Sequence, residues 1–403
     1  MLAICKTWLK DTDRNYLIFL LASVFLGIGQ SVDGATLTNY LKENFQMLIL
    51  QRSALEFPRE LPGLLVAVVI ASLYFLGDIR IAVIANILAA VGMFSLGIIP
   101  PEYAFLVLAI FVYSMGQHIY MPLSHSIGMS FASSSELGRK LGQVSAANTA
   151  ALVISSAILW ALFNFLHISY TTSFLIGAAS FLVAAVLLSG IKPAPTVKKP
   201  IRYIFRKEYR LYYWLCILFG ARKQIFITFG PWVLVDIFKE PVTTMALLFF
   251  IVSFIGIFTK PFIGYLIDKI GERFVLSSEA IAFFFVCLGY AFAEDIFSST
   301  FALLLVNICY VIDQILSSAS MARATYLKKI ALAEEDVSPT LSLGTSIDHI
   351  VTMFLPIIGG LVWYNNGSQG YKYVFLGGAF IAVINFVSAR FIDTKVKFSS
   401  TYD

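Results

Sequence analysis

Charge is scarce in this chain. Asp, Glu, Lys and Arg make up 13% of its 403 residues, against about a quarter in a soluble domain, so a protein bathed by water on all sides is excluded. Cysteine is scarce too. Cys5, Cys216, Cys287 and Cys309 fall near the N-terminus or inside apolar runs, which excludes a disulfide framework. The four histidines are scattered; with those cysteines they offer no metal-ligand spacing, and no metal or cofactor is expected. Clustered basic residues are missing as well. The net charge of +5 is spread over many short loops, which argues against a nucleic-acid partner. The N-terminus lacks a small-residue cleavage site after a short apolar region, so the first hydrophobic run reads as a retained span.

Apolar sequence is what abounds. Hydrophobic residues form 59% of the chain, with 36 Phe, and mean hydropathy is +0.82. A helix needs about 20 apolar residues to cross a bilayer. That length places spans at 15–40, 55–76, 80–99, 103–130, 139–165 and 170–190, then at 209–237, 242–267, 274–293, 299–326, 337–364 and 371–392. The predicted fold is an all-α membrane protein of twelve transmembrane helices in two six-helix bundles, residues 1–190 and 209–403. The linker between them, 191–208, opens with Lys192-Pro193-Ala194-Pro195, and RYIFRKEYR at its end reads as a short surface helix.

Lys and Arg set the orientation. About twenty fall in the termini, the linker and alternate loops, against roughly five in the opposite loops, so both termini and the linker are expected to be cytoplasmic. The expected location is a cell membrane, plasma or bacterial inner, and the expected state is a monomer. The two halves repeat weakly. Tyr113-Ser114-Met115-Gly116-Gln117 parallels Tyr310-Val311-Ile312-Asp313-Gln314, and Leu141-Gly142-Gln143-Val144-Ser145 parallels Leu343-Gly344-Thr345-Ser346-Ile347. Parallel six-helix repeats place a transporter's site near mid-membrane.

Six ionisable residues interrupt the apolar spans: Asp33, Arg222, Lys223, Lys260, Asp313 and Asp348. A charge in hydrocarbon costs several kcal/mol unless it faces a partner or a wet cavity. At a rise of about 1.5 Å per residue, Arg222, Asp313 and Asp348 lie near mid-depth, with Lys260 toward the cytoplasm and Asp33 toward the outside. Arg222 suits a carboxylate or phosphate through its two-pronged geometry, with Lys223 and Lys260 behind it. Being adjacent, Arg222 and Lys223 point about 100° apart, so at most one faces a cavity centre. Asp313 and Asp348 have two open readings: proton carriers, or structural partners that neutralise Arg222 and Lys260. His118 and His349 are further proton-transfer candidates. Gln30 shares the depth of Asp33, and Gln117 and Gln314 occupy matching places in the repeat, which adds all three to the substrate-binding set. Glu56-Phe-Pro58-Arg59-Glu60 opens the second span and reads as a charged helix cap at the outer interface.

The most specific motif is Gly264-Tyr-Leu-Ile-Asp268-Lys269-Ile-Gly271-Glu-Arg273, between the eighth and ninth spans. Gly264 allows close helix packing, Gly271 permits the turn, and Asp268 can meet a helix N-terminus or a basic partner. It resembles the signature loop of the major facilitator superfamily, and the twelve-span count extends the resemblance over the whole chain. The first-half copy is eroded to Gly77-Asp78-Ile79-Arg80, without the second glycine. Ser155-Ser156 stands where antiporters of that superfamily carry Gly-Pro. The resemblance implies a central path lined by the first, fourth, seventh and tenth spans, with the third, sixth, ninth and twelfth toward lipid. All six charges avoid those lipid-facing spans.

These readings converge on a secondary active transporter working by alternating access. Its solute is small, organic and anionic or zwitterionic, and transport is coupled to protons. The alternative is a proton-driven multidrug or metabolite efflux antiporter that recognises cationic or lipophilic compounds. A non-transporting receptor or an intramembrane enzyme is the reading from a different class; no clustered nucleophile and base supports an enzyme.

Overall fold

The computed structural model describes residues 13–132, 137–192 and 205–393. Twelve long helices run through them: α1 (Arg14–Phe45), α2 (Glu56–Ser72), α3 (Asp78–Ile98), α4 (Tyr103–Ser130), α5 (Leu137–Phe165) and α6 (Tyr170–Ser189). The second set is α7 (Arg210–Trp232), α8 (Val242–Ile270), α9 (Glu272–Ile296), α10 (Ser299–Ile330), α11 (Glu334–Asn365) and α12 (Gly370–Ala389). Ten of these, all but α2 and α7, are long and apolar enough to cross a membrane. At 17 residues α2 is the shortest, and a 3-10 turn at Tyr74–Leu76 prolongs it. A π turn, Val233–Ile237, continues α7, and a 3-10 turn at Ser317–Ser320 interrupts α10. No strand occurs among the described residues. In lipid every backbone group must be satisfied within its own segment, so long apolar runs take up helix.

Predicted spans and observed helices agree closely, with two additions. Helix α1 runs on to Phe45, and a short helix, Ile49–Ala54, follows in what reads as loop. Of the predicted surface helix, residues 202–204 lie outside the described residues; the rest enters α7 through a 3-10 turn at Lys207–Tyr209.

The chain groups into two compact units. The first comprises Met1–Tyr40, Leu65–Lys199 and Val242–Ser253; the second comprises Leu41–Leu64, Pro200–Pro241 and Phe254–Asp403. In the first, α3 packs against α4 and α6. Lipid supplies no hydrophobic drive between helices, so close approach of backbones at small residues does that work. Ala82, Ala85 and Ala89 of α3 are buried, and a Cβ on Gly116 of α4 would sit 2.5 Å from the backbone nitrogen of Ala89. In the second unit, α9 packs on α12 and α10, and α7 packs on α11 and α12. An aromatic knot at their centre places Phe226 edge-on to Phe283, Tyr290 and Phe375, with the last two stacked at 4.4 Å. This rigid packing fixes the height and direction of the charges on α7.

Candidate functional site

Neighbouring residues of α7 serve two separate ion clusters. Arg222 turns toward α9 and α10 and is 1% exposed. Its Nε lies 2.6 Å from Glu279 Oε1 and its Nη2 lies 2.9 Å from Asp313 Oδ1. Nη2 also donates to the Asp313 carbonyl at 3.2 Å, and the guanidinium sits 4.8 Å from the Phe283 ring centre. Asn385 of α12 donates to Glu279 Oε2, and Gln314 donates to Asp313 Oδ2 at 3.4 Å. Arg222 is thus sealed among protein groups rather than presented to a solute. Of the two readings open for Asp313, the geometry contains the ion pair with Arg222.

Lys223 turns toward α11. Its Nζ lies 2.9 Å from Asp348 Oδ2, and the two side chains are 22% and 14% exposed, so this pair is partly open. Among the described residues, Oδ1 of Asp348 accepts no hydrogen bond. The backbone of Gly220 lies against it, leaving the space that a larger residue would occupy. Asp348 therefore answers Lys223, and neither Arg222 nor Lys260. Lys260 is exposed on α8 and, among the described residues, makes no ion pair. The 100° offset between Arg222 and Lys223 is realised, and it is Lys223 that keeps access.

The first unit contributes an uncharged set. Gln30 of α1 donates from Nε2 to Gln117 Oε1 of α4 at 3.0 Å. Asn148 of α5 donates from Nδ2 to Gln30 Oε1 and to the Ser23 carbonyl, each at 3.2 Å. Three carboxamides thus form a chain across three helices. His118 Nδ1 lies 3.0 Å from the Ser114 hydroxyl, and Asp33, one helical turn beyond Gln30, is half-buried.

His349 belongs to the second unit, where its Nδ1 lies 2.9 Å from Glu60 Oε2; Thr352 donates to the same oxygen at 3.0 Å. All three are buried. Arg52 and Glu56, 2% and 0% exposed, pair with each other, and Arg59 lies 3.5 Å from Glu56. These charges are packed inside the unit, so the helix-cap reading of Glu56 and Glu60 at a water interface does not hold. Buried acids remain tolerable there because each finds a cation or donor.

The signature loop divides into exposed and anchored residues. Asp268, Lys269 and Arg273 are exposed. Nothing lies within 4 Å of a Cβ built on Gly264, so that glycine does not serve close helix packing. Gly271 takes φ +84°, and the next residue, Glu272, is fully buried with Oε1 2.8 Å from Lys329 Nζ of α10. In the first half Gly77 takes φ +80°, and the next residue, Asp78, accepts from Ser126 of α4 at 2.6 Å. Gly77 is therefore the counterpart of Gly271: the first-half copy keeps the second glycine and loses the first glycine and the acid, with Ile70 and Tyr74 in their places. Arg80 is exposed.

Sequence reasoning passed over Glu279, Asn148 and Asn385. Glu279 had a signal: it lies on the stripe Glu272, Val275, Leu276, Phe283, Cys287, Tyr290 at helical spacing, all buried, so its face was the packed one. Asn148 and Asn385 carried none.

Comparison with known proteins follows the geometry. A family model described as Major Facilitator Superfamily matches residues 60–333. No curated protein matches the sequence. The fold is similar to that of the nucleoside transporter NupG, with a TM-score of 0.73 and 13% identity over 94% of this chain and 98% of that one. It is similar to a bacterial homologue of the human lysosomal transporter Spinster, with a TM-score of 0.72 and 16% identity over 93% and 95%. A bacterial homologue of the iron transporter ferroportin gives a TM-score of 0.72 and 17% identity over 94% and 98%. Identities this low carry the fold alone.

Proposed function

The chain belongs to the major facilitator superfamily, and from that premise we propose a proton-coupled carrier of small organic anions or zwitterions in which Lys223 and Asp348 form the exchangeable centre. That it is a multi-pass membrane transporter rather than an enzyme follows from the family and the shared fold. The single observation that carries the finer reading is the partly open 2.9 Å pair with its unbonded Asp348 Oδ1.

A carboxylate held by a lysine lets go of it on taking up a proton. Protonation of Asp348 removes its charge, and Lys223 then takes a carboxylate or phosphate of the solute instead. When the solute leaves, Lys223 recaptures Asp348 and the proton departs. One anion and one proton move together, so the step carries no net charge. Lysine suits this exchange because its ammonium is a point charge that accepts different partners without a fixed fork. Both termini on the cytoplasmic side, two six-helix halves that alternate access, and a monomeric state complete the proposal. Within the first unit, the amides Gln30, Gln117 and Asn148 are an uncharged contact for solute.

The test is flux in liposomes that contain only this protein, against a panel of metabolites and drugs with internal pH recorded. Wild type is expected to carry an anionic solute with a proton. Lys223→Ala is expected to abolish solute uptake, and Asp348→Asn to retain binding while losing the pH dependence. Preference for lipophilic cations, or flux unchanged in both variants, would reject the reading.

A further inference from the structure

The sealed cluster on the other side of α7 does not balance. Arg222 brings one positive charge, and Glu279 and Asp313 bring two negative ones, all within direct contact of the guanidinium. The three residues are 1%, 6% and 2% exposed, so neither water nor salt compensates the excess. The remaining ionisable groups around them are Cys287 and Tyr290 on α9, and Cys309, Tyr310 and Arg323 on α10. The thiols and phenols are uncharged at neutral pH. Arg323 lies 3.6 Å over the Phe219 ring and makes no ion pair among the described residues; its charge reaches Glu279 from beyond contact distance and acts there more weakly than Arg222. α12 contributes only the neutral donor Asn385. Two carboxyl groups that share one buried cation relieve the surplus charge by keeping a proton.

We propose that Glu279 and Asp313 hold one proton between them against Arg222, which makes this cluster a second proton site, separate from Lys223 and Asp348. The site is built for retention. Each carboxyl takes one contact from Arg222 and one amide donor, from Asn385 or Gln314, and the proton fills the position that a second cation would otherwise take. The proposal does not depend on the transport reading: a protein that moved no solute would still hold this proton.

The linkage has a definite sign. The folded protein holds a proton here that the unfolded chain has lost at neutral pH, so stability falls with rising pH over that range and levels off when the folded protein loses the proton too. The experiment is thermal unfolding of the purified full-length protein in detergent, from neutral to alkaline pH. The wild-type midpoint is expected to fall by about 1–2 °C per pH unit while only the folded protein holds the proton, and to level off once the proton leaves. Glu279→Gln and Asp313→Asn each leave one acid against one Arg222, and each is expected to remove that fall. Variants that decline in parallel with the wild type would overturn the proposal. Infrared spectroscopy of the wild type supplies a readout that needs no variant: a protonated carboxyl stretch is expected at neutral pH, and its absence would also overturn it.

Discussion

Gly220 and Asp348 are shaped to each other: a Cβ on Gly220 would sit 2.5 Å from Asp348 Oδ1 and 3.1 Å from its backbone oxygen. The approach of α7 to α11 at this point sets the position from which Asp348 meets Lys223. Gly220→Ala therefore displaces the acid without removing any charge. Crowding of this kind costs about 1–3 kcal/mol. The expected result is a folded protein with a lowered unfolding midpoint and a flux that has lost most of its pH dependence. Wild-type flux with a wild-type pH profile would show that the spacing is unimportant.

The Lys223–Asp348 pair itself yields to a double-mutant cycle. Lys223→Met leaves a partly buried acid without its cation, whereas Lys223→Met with Asp348→Asn leaves neither charge. Breaking one side of a buried pair costs more than removing both, so the double variant is expected to be more stable than Lys223→Met alone. The coupling should be about 0.5–3 kcal/mol, as for residues in direct contact. Unfolding in detergent measures it, and additive losses would mean that the two side chains ignore each other in the folded protein.

Under the proposed function, the amide chain contacts solute and takes no part in proton handling. Asn148→Ala removes the donor that fixes Gln30, while neither residue titrates. The change is expected to weaken solute binding by about 0.5–1.5 kcal/mol, the net worth of a neutral hydrogen bond, and to leave the pH profile of flux in place. Uptake kinetics over a range of solute concentrations and pH values distinguish the two effects. A shifted pH profile in Asn148→Ala would place the proton step in the first unit.

Most of the architecture is legible in the sequence because one rule governs it. Twelve apolar runs of bilayer length become helices, and only the short helix at Ile49–Ala54 falls outside them. Side-chain partners are another matter. The sequence shows that Arg222 and Lys223 face different ways, but rotation about a helix axis does not say which neighbour each one meets. The structural reading offers Arg222 and Lys260 as partners for the two aspartates, yet packing at Gly220 brings Asp348 to Lys223. Glu56 and Glu60 look solvated because they open a helix, and become buried because Leu41–Leu64 packs within the second unit. Glu279 stands out only when its place on the buried stripe of α9 is counted.

The two glycine turns at Gly77 and Gly271 offer the sharpest test of how the halves repeat. Gly77 and Gly271 adopt φ/ψ of 80°/157° and 84°/161°, a region that only glycine occupies without strain. Each precedes an acid pinned to the next long helix in its own unit: Asp78 by Ser126 and Glu272 by Lys329. Open space surrounds both glycines, so a Cβ at either position meets no neighbour and the backbone conformation alone sets the cost. Gly77→Ala and Gly271→Ala are each expected to lose about 1–3 kcal/mol. Gly264 also faces open space but sits in regular helix at negative φ, where alanine is the better residue by about 1 kcal/mol. Gly264→Ala is thus expected to be neutral or mildly stabilising although Gly264 belongs to the same motif. Thermal unfolding of the three variants side by side decides the matter. Equal losses at all three would mean that the motif's glycines act through packing after all, and the correspondence of Gly77 with Gly271 would lose its physical basis.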